Sequence, residues 1–258
     1  MKMDIRICIP SYKRPKVETL KYLPFAKVFI DKSEEVEYRK SNKGADIVVV
    51  PDGVQGNLCR IRNHIMKTQF EDGADVVLIV DDDMKGCYRW VNSKKKLIQS
   101  SDFLAFVEEY SIIARDMNVY MWGLNINQDK QVYREYTPFS TTSYIGGPFQ
   151  AFMKGNELYY DERLSLKEDY DMTLQQLNKY RKALRVNNHF YIVKQSENPG
   201  GCASYRNYVE EERQLMLLQS KWGSKVVKLD INDRSHNRKK EKTRIDYNPI
   251  IKVPIKGV

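Results

Sequence analysis

Through the first ninety residues the apolar positions fall in short unbroken runs. IRICIP (5–10), AKVFID (26–31), DIVVVP (46–51) and DVVLIV (75–80) are β-branched and bounded by Pro, Asp or Gly. Continuous runs, unlike alternating ones, predict strands buried on both faces, as in a parallel sheet. Between the third and fourth runs, LCRIRNHIMKTQFED (58–72) places Leu58, Ile61, Ile65 and Phe70 near helical spacing and ends at Gly73. VETLKYL (17–23) predicts a shorter helix between the first two strands. The order β-α-β-β-α-β is that of an α/β fold.

Beyond residue 100 the periods lengthen. Ser101 is placed to cap a helix over 102–117, whose Phe103, Phe106, Val107, Tyr110, Ile113, Ala114 and Met117 form one apolar stripe. VYMWGLNI (119–126) and YIGGPFQAFMK (144–154) predict strands, KEDYDMTLQQLNKYRKAL (167–184) a helix, and HFYIVKQ (189–195) a further strand. NPGGCASYR (198–206) reads as a loop, and a last helix over 207–222 stops at Gly223. No internal repeat or low-complexity linker divides the chain. The expectation is one domain over 1–220, in halves 1–90 and 91–220, with a basic extension over 221–258.

Charge changes this picture only at the end. The chain carries +9, yet residues 221–258 hold 11 Lys/Arg against four Asp/Glu, a local +7. Such an extension suits a polyanionic partner, although a solvated tail accounts for it equally well. The longest apolar runs are far below the roughly 20 residues that cross a bilayer. The N-terminus has no apolar stretch of the kind an export signal needs. Cys8, Cys59, Cys87 and Cys202 lack CxxC spacing. They read as reduced thiols, so a cytoplasmic protein is expected.

In VVLIVDDDM (76–84) a buried run meets three adjacent carboxylates. Either water solvates that turn or a cation sits there. Ligands of open α/β sheets bind beyond the carboxyl ends of the parallel strands. There the loops PSYKRP, DKSEEVEY, PDGVQGN and DDDM should meet. Lys13, Arg14, Arg60 and Arg62 suit phosphate oxygens, and Tyr12 offers a flat face to a base. Asp81 and Asp83 are hard oxygen donors of the kind Mg²⁺ and Mn²⁺ take while shared with substrate phosphates. Taken singly, each has a bland explanation in surface charge or packing. Their convergence points to a nucleoside-diphosphate site.

These segments also resemble a known family. IPSYKRP, the G-x-x-x-N…RN stretch (Gly53, Asn57, Arg62, Asn63) and IVDDDM are similar to the nucleotide-sugar half of GT-A glycosyltransferases. KEDYDMTLQQL resembles the E-D-x-D-L segment of inverting members, and SYKRP with NPGG looks most like the TET-associated glycosyltransferases. That family is linked largely to phage DNA and glycosylates hydroxymethylated pyrimidines such as hydroxymethylcytosine. The likeness is close over about residues 4–90 and looser over 144–206. It implies an α/β fold: a single GT-A, Rossmann-like domain with a mixed, mostly parallel central sheet.

The resemblance further implies a UDP-sugar donor held by Pro10, Ser11, Tyr12, Arg14, Arg62, Asn63 and Asp81. Mn²⁺ or Mg²⁺ would sit on Asp81 and Asp83, with His236 as a further ligand. Asp169 would be the general base, with Glu168 beside it. Gly200, Gly201, Arg206, Arg238, Lys239 and Lys240 would face a hydroxymethylated DNA acceptor. Tyr205, Tyr208 and Trp222 could stack on it or pack under the last helix. Other readings are transfer to a polysaccharide or protein, a metal-dependent nuclease, and a binding module with incidental aspartates.

Overall fold

The computed structural model describes residues 2–129, 133, 136–193, 200–230 and 246–253. Four of the predicted strands form: β1 (Ile5–Pro10), β2 (Lys27–Ile30), β3 (Asp46–Val49) and β4 (Val76–Val80). They lie in the order β3-β2-β1-β4 and are parallel throughout, with Ile9 opposite Val28 and Ile7 opposite Leu78. All five residues of β4 are fully buried, as an unbroken apolar run requires. β9 (Phe149–Met153) then pairs antiparallel with β4, and β7 (Met121–Asn125) antiparallel with β9. Beyond β7 lie β10 (Leu184–Val193), parallel to it, and then β5 (Met84–Val91) and β6 (Lys94–Leu97). A short β8 (Phe139–Ser140) also pairs with β10. The apolar runs led to the parallel part, β3-β2-β1-β4, and the mixed α/β sheet as a whole is the one the family resemblance implied.

Helices cover both faces. On one, α3 (Phe103–Asp116) packs Phe103, Phe106, Val107 and Tyr110 against Trp122 and Phe149. On the other, α2 (Leu58–Glu71) and α4 (Glu168–Tyr180) bring Ile61, Ile65, Met66, Met172 and Leu177 onto Cys8, Val77, Ile79 and Phe152. Asn57 caps α2 by accepting the Arg60 amide at 3.2 Å.

Several local expectations are corrected. The 17–23 segment makes only a 3-10 turn at Glu18–Lys21, closed off by Pro24, and a helix α1 (Glu35–Ser41) lies instead between β2 and β3. Ser101 does not cap α3; a 3-10 turn at Ser100–Asp102 leads into it, and the Ser101 hydroxyl bonds Asp102 at 3.3 Å. The β5–β6 hairpin was not expected. It turns on Asn92 and Ser93, both with φ above zero, the geometry of a tight hairpin loop. α4 ends four residues early because Arg181 is left-handed (φ 65°), and β10 starts already at Leu184. His189 therefore lies within a strand, buried against Phe106 and Tyr110.

α5 (Tyr208–Trp222) is capped by Asn207 and includes the first residues of the basic extension. β11 (Val227–Asp230) and β12 (Asp246–Ile251) pair antiparallel and pack on α5 around Leu218 and Val227, with Leu164 and Leu174. The described part of the extension thus folds back onto the domain. His236, Arg238, Lys239 and Lys240 lie outside the described residues. No helix among the described residues is long and apolar enough to cross a membrane.

Candidate active site

The turn after β4 handles its three carboxylates by sending them to different partners. Asp82 turns inward, 7% exposed, accepting the Ser11 hydroxyl at 2.6 Å and pairing with Arg14 Nη1 at 2.9 Å. Asp81 pairs with Arg62 Nη2 at 2.9 Å. Asp83 meets Arg14 more loosely, at 3.7 Å. Burial, with Asp81 and Asp82 as like charges alongside, pushes its pKa up to about 7. Burial likewise raises Asp82 against the pull of Arg14. Thr19 locks the turn: its hydroxyl donates to the Asp81 carbonyl at 2.6 Å and accepts the Met84 amide at 2.8 Å. The short 3-10 turn over 18–21 exists to deliver that hydroxyl.

The start of α4 supplies a second acidic group. Asp169 Oδ2 accepts the Gly147 amide at 3.0 Å and the Tyr144 hydroxyl, and its Oδ1 accepts the Tyr170 amide at 2.8 Å. Glu168, 7% exposed, pairs with Arg62 Nη1 at 3.2 Å. Burial and the adjacent Asp169 raise its pKa against Arg62. Arg62 is the hinge of the whole arrangement. At 1% exposure its single guanidinium holds Asp81, Glu168 and the Gly147 carbonyl (3.1 Å) and lies over the Tyr160 ring. Its Nε has no partner among the described residues.

Both acidic groups open on one cavity of about 1510 Å³. Its lining includes Pro10, Ser11, Tyr12, Arg14, Asp81 and Asp83 from the β1 and β4 loops, and Gln55, Gly56 and Asn57 after β3. Glu168, Asp169 and Tyr170 come from α4, Tyr191 from β10, and Tyr208 and Tyr247 from the C-terminal elements.

Residues 6–201 match the TET-Associated Glycosyltransferase family. The chain belongs to that family. No curated protein matches it in sequence. Among solved structures it aligns with glucosyl-3-phosphoglycerate synthase from Mycobacterium tuberculosis, solved with Mn²⁺, UDP-glucose and phosphoglyceric acid. The TM-score is 0.49, with 11% identity over 88% of this chain and 83% of that one. It also aligns with A197 from STIV, at TM-score 0.41 and 11% identity over 79% and 92%. These likenesses are distant, and the assignment rests on the family match.

In this TET-associated glycosyltransferase, three of the four loops expected to meet do line the cavity; the loop after β2 instead braces the first. Glu34 accepts the Lys13 amide at 2.9 Å, and the Tyr38 hydroxyl meets Ser11 and Arg14. Several assigned residues are differently engaged. Arg62 is no free phosphate ligand, since two carboxylates consume it beneath the cavity floor. Asn63 does not reach the cavity: its amide brackets the Tyr160 backbone at 2.7 and 2.9 Å. Ser11 lines the cavity, but its amide, carbonyl and hydroxyl are bonded internally to Phe29, Gln55 and Asp82. Arg14 faces the cavity while tied to Asp82 and the Gly200 carbonyl, and Arg60 holds Glu162 and Gly53.

Gly200 and Gly201 clamp the first loop. The Gly201 amide bonds the Tyr12 carbonyl at 2.8 Å, and Gly200, at φ 94°, leaves no space for a Cβ beside the Lys13 carbonyl. Arg206, at the rim, pairs with Glu211 at 3.1 Å. Trp222, the last residue of α5, reaches α4 instead, its indole N–H on Asp171 at 2.8 Å. Sequence reasoning missed Asp82, Tyr144, Gln55, Tyr191 and Tyr247. Only Asp82 carried a signal: three successive aspartates cannot all face one ligand. Asp81 and Asp83 present hard oxygen donors to the cavity, and the donor set fits Mg²⁺ or Mn²⁺ taking its remaining oxygens from phosphates and water.

Proposed function

We propose that this glycosyltransferase moves a sugar from a UDP-linked donor to the hydroxyl of a 5-hydroxymethylpyrimidine in DNA, with a divalent metal. The carrying observation is that Asp81, Asp83 and Asp169 open on one cavity, beneath which Arg62 links Asp81 to Glu168, the neighbour of Asp169. The family match supports sugar transfer, and the concentration of positive charge in residues 221–258 supports a polyanionic acceptor. Asp81 and Asp83 would hold Mn²⁺ or Mg²⁺, which when bound neutralises charge on a leaving diphosphate. The half-buried Tyr12 ring lines the cavity beside them and offers the base a flat face.

Asp169 is held by three donors in a fixed orientation. It takes the proton of the acceptor hydroxyl as that oxygen bonds to the anomeric carbon. The bond to the diphosphate oxygen breaks in the same displacement, so configuration inverts. Help of this kind is worth about 10²–10⁴-fold in rate. Gly147 and Tyr144 position the base, and Arg62 holds the Asp81 carboxylate in place.

The test combines the protein with Mn²⁺, a panel of UDP-sugars, and DNA containing 5-hydroxymethylcytosine or 5-hydroxymethyluracil. Nucleosides are then weighed after digestion. A pentose or hexose mass gain with one donor is the expected result. UDP release with no gain would move the acceptor to a polysaccharide or protein. Plasmid nicking in its place would favour the nuclease.

A further inference from the structure

The proposed function leaves one wall of the cavity unused. α5 and β12 lie beyond residues 6–201, yet both send side chains into the same cavity as Asp169. Tyr208 opens α5 and Tyr247 sits on β12. Their rings are 6.1 Å apart, tilted by 39°, and Tyr208 as a residue is 54% exposed.

The unit that carries these rings is firmly docked on the helix that carries Asp169. Gln214, 1% exposed, accepts the Leu166 amide at 2.6 Å, and Glu211 pairs with the buried Lys167, next to Glu168. Asp171, fully buried on α4, accepts from Lys221 at 2.9 Å and from Trp222 at 2.8 Å. The ring pair is therefore fixed relative to the proposed base. The cavity, at about 1510 Å³, also exceeds the roughly 300–1,000 Å³ of a site for one small ligand. There is room for a second flat group beside a sugar nucleotide.

We infer that Tyr208 and Tyr247 form a stacking platform for the planar base of the acceptor, added to the family's common core by the C-terminal elements. Stacking suits this task because every base has a π-face, so the platform can hold the acceptor while Asp169 meets its hydroxyl. The inference rests on the proposed nucleic-acid acceptor and names the residues that would receive it.

The experiment uses the full chain and a fluorescein-labelled single-stranded oligonucleotide carrying one 5-hydroxymethylcytosine, read by anisotropy. Affinity for UDP with Mn²⁺ is measured on the same samples. Tyr208→Ala and Tyr247→Ala are expected to weaken oligonucleotide binding roughly 5- to 100-fold. Tyr208→Phe and Tyr247→Phe, which keep the rings, should stay near wild type. UDP affinity should hold in all four. Alanine variants that bind the oligonucleotide within twofold of wild type would overturn the platform and leave the transferase reading standing. Equal loss of UDP affinity would also overturn it, making the pair a structural support. A wild type that binds UDP but no oligonucleotide would sink the DNA reading and the platform together.

Discussion

At the residue scale the site is governed by buried charge. Arg62 satisfies two carboxylates on different elements, so its removal strands both. Losing one partner of a buried ion pair typically costs about 3–5 kcal/mol. Arg62→Met is expected to lower unfolding stability in urea by about that amount, and Arg62→Lys by less, since it keeps the charge without the fork. Adding Glu168→Gln to Arg62→Met should recover part of the loss; no recovery would mean the pair with Glu168 is not the one that matters. Asp83 gives a pH signature. Its pKa in the folded protein, pushed up to about 7 by burial and by Asp81 and Asp82, exceeds the roughly 3.9 of an unfolded aspartate. Between those values the folded state keeps a proton the unfolded chain has lost, so this group's contribution to stability falls as pH rises from about 4 to 7. Comparing melting curves of metal-free wild type with Asp83→Asn across that range isolates the slope, which the variant should lack. The same proton competes with metal. Mn²⁺ affinity, followed by electron paramagnetic resonance, should weaken below pH 7, approaching tenfold per unit, and level off above it.

At the element scale, α4 is the joint between the proposed base and the C-terminal wall. Its first turn carries Asp169, and two residues on in the same turn Asp171 anchors α5 through Lys221 and Trp222. Asp171→Ala leaves an indole N–H without its acceptor and should cost about 1–3 kcal/mol. Amide exchange should accelerate in α5 well before it does in β1 or β4. Unchanged exchange in α5 would place its docking in Leu215 and Leu218 alone. The central elements were legible in the sequence wherever burial was complete on both faces, as in VVLIV, or on one helical stripe, as in Phe103–Ala114. What escaped was local chemistry. α1 buries Tyr38 alone among its seven residues, so EVEYRKS shows no apolar stripe. The hairpin strand MKGCYRWV interrupts its buried positions with the exposed Lys85 and Arg89, and its turn depends on two non-glycine residues at positive φ. Arg62 looked like a phosphate ligand because sequence displays charge and not its partners. Only the fold shows Asp81 and Glu168 closing on it.

At the scale of the whole molecule, the sheet and the site belong to a body of nearly balanced charge, whereas +7 of the net +9 belongs to residues 221–258. Folding uses part of that stretch: Lys221 is committed to Asp161 and Asp171, and β11 and β12 close over α5. Arg238, Lys239 and Lys240 carry the remaining question, whether the charge serves a polyanion or only solubility. Salt dependence separates the two. Each phosphate neutralised adds about 0.7 to the slope of log affinity against log salt for a single strand, and about 0.9 for duplex DNA. Replacing all three by Ser should therefore flatten the measured slope by about 2 to 3 if each meets a phosphate. Donor affinity should be untouched, because the donor side proposed for the cavity is lined from β1, β4 and the start of α2. A slope unchanged by the triple replacement would assign the tail to solubility. Acceptor binding would then have to come from the cavity wall, a contact that salt weakens far less than phosphate pairing.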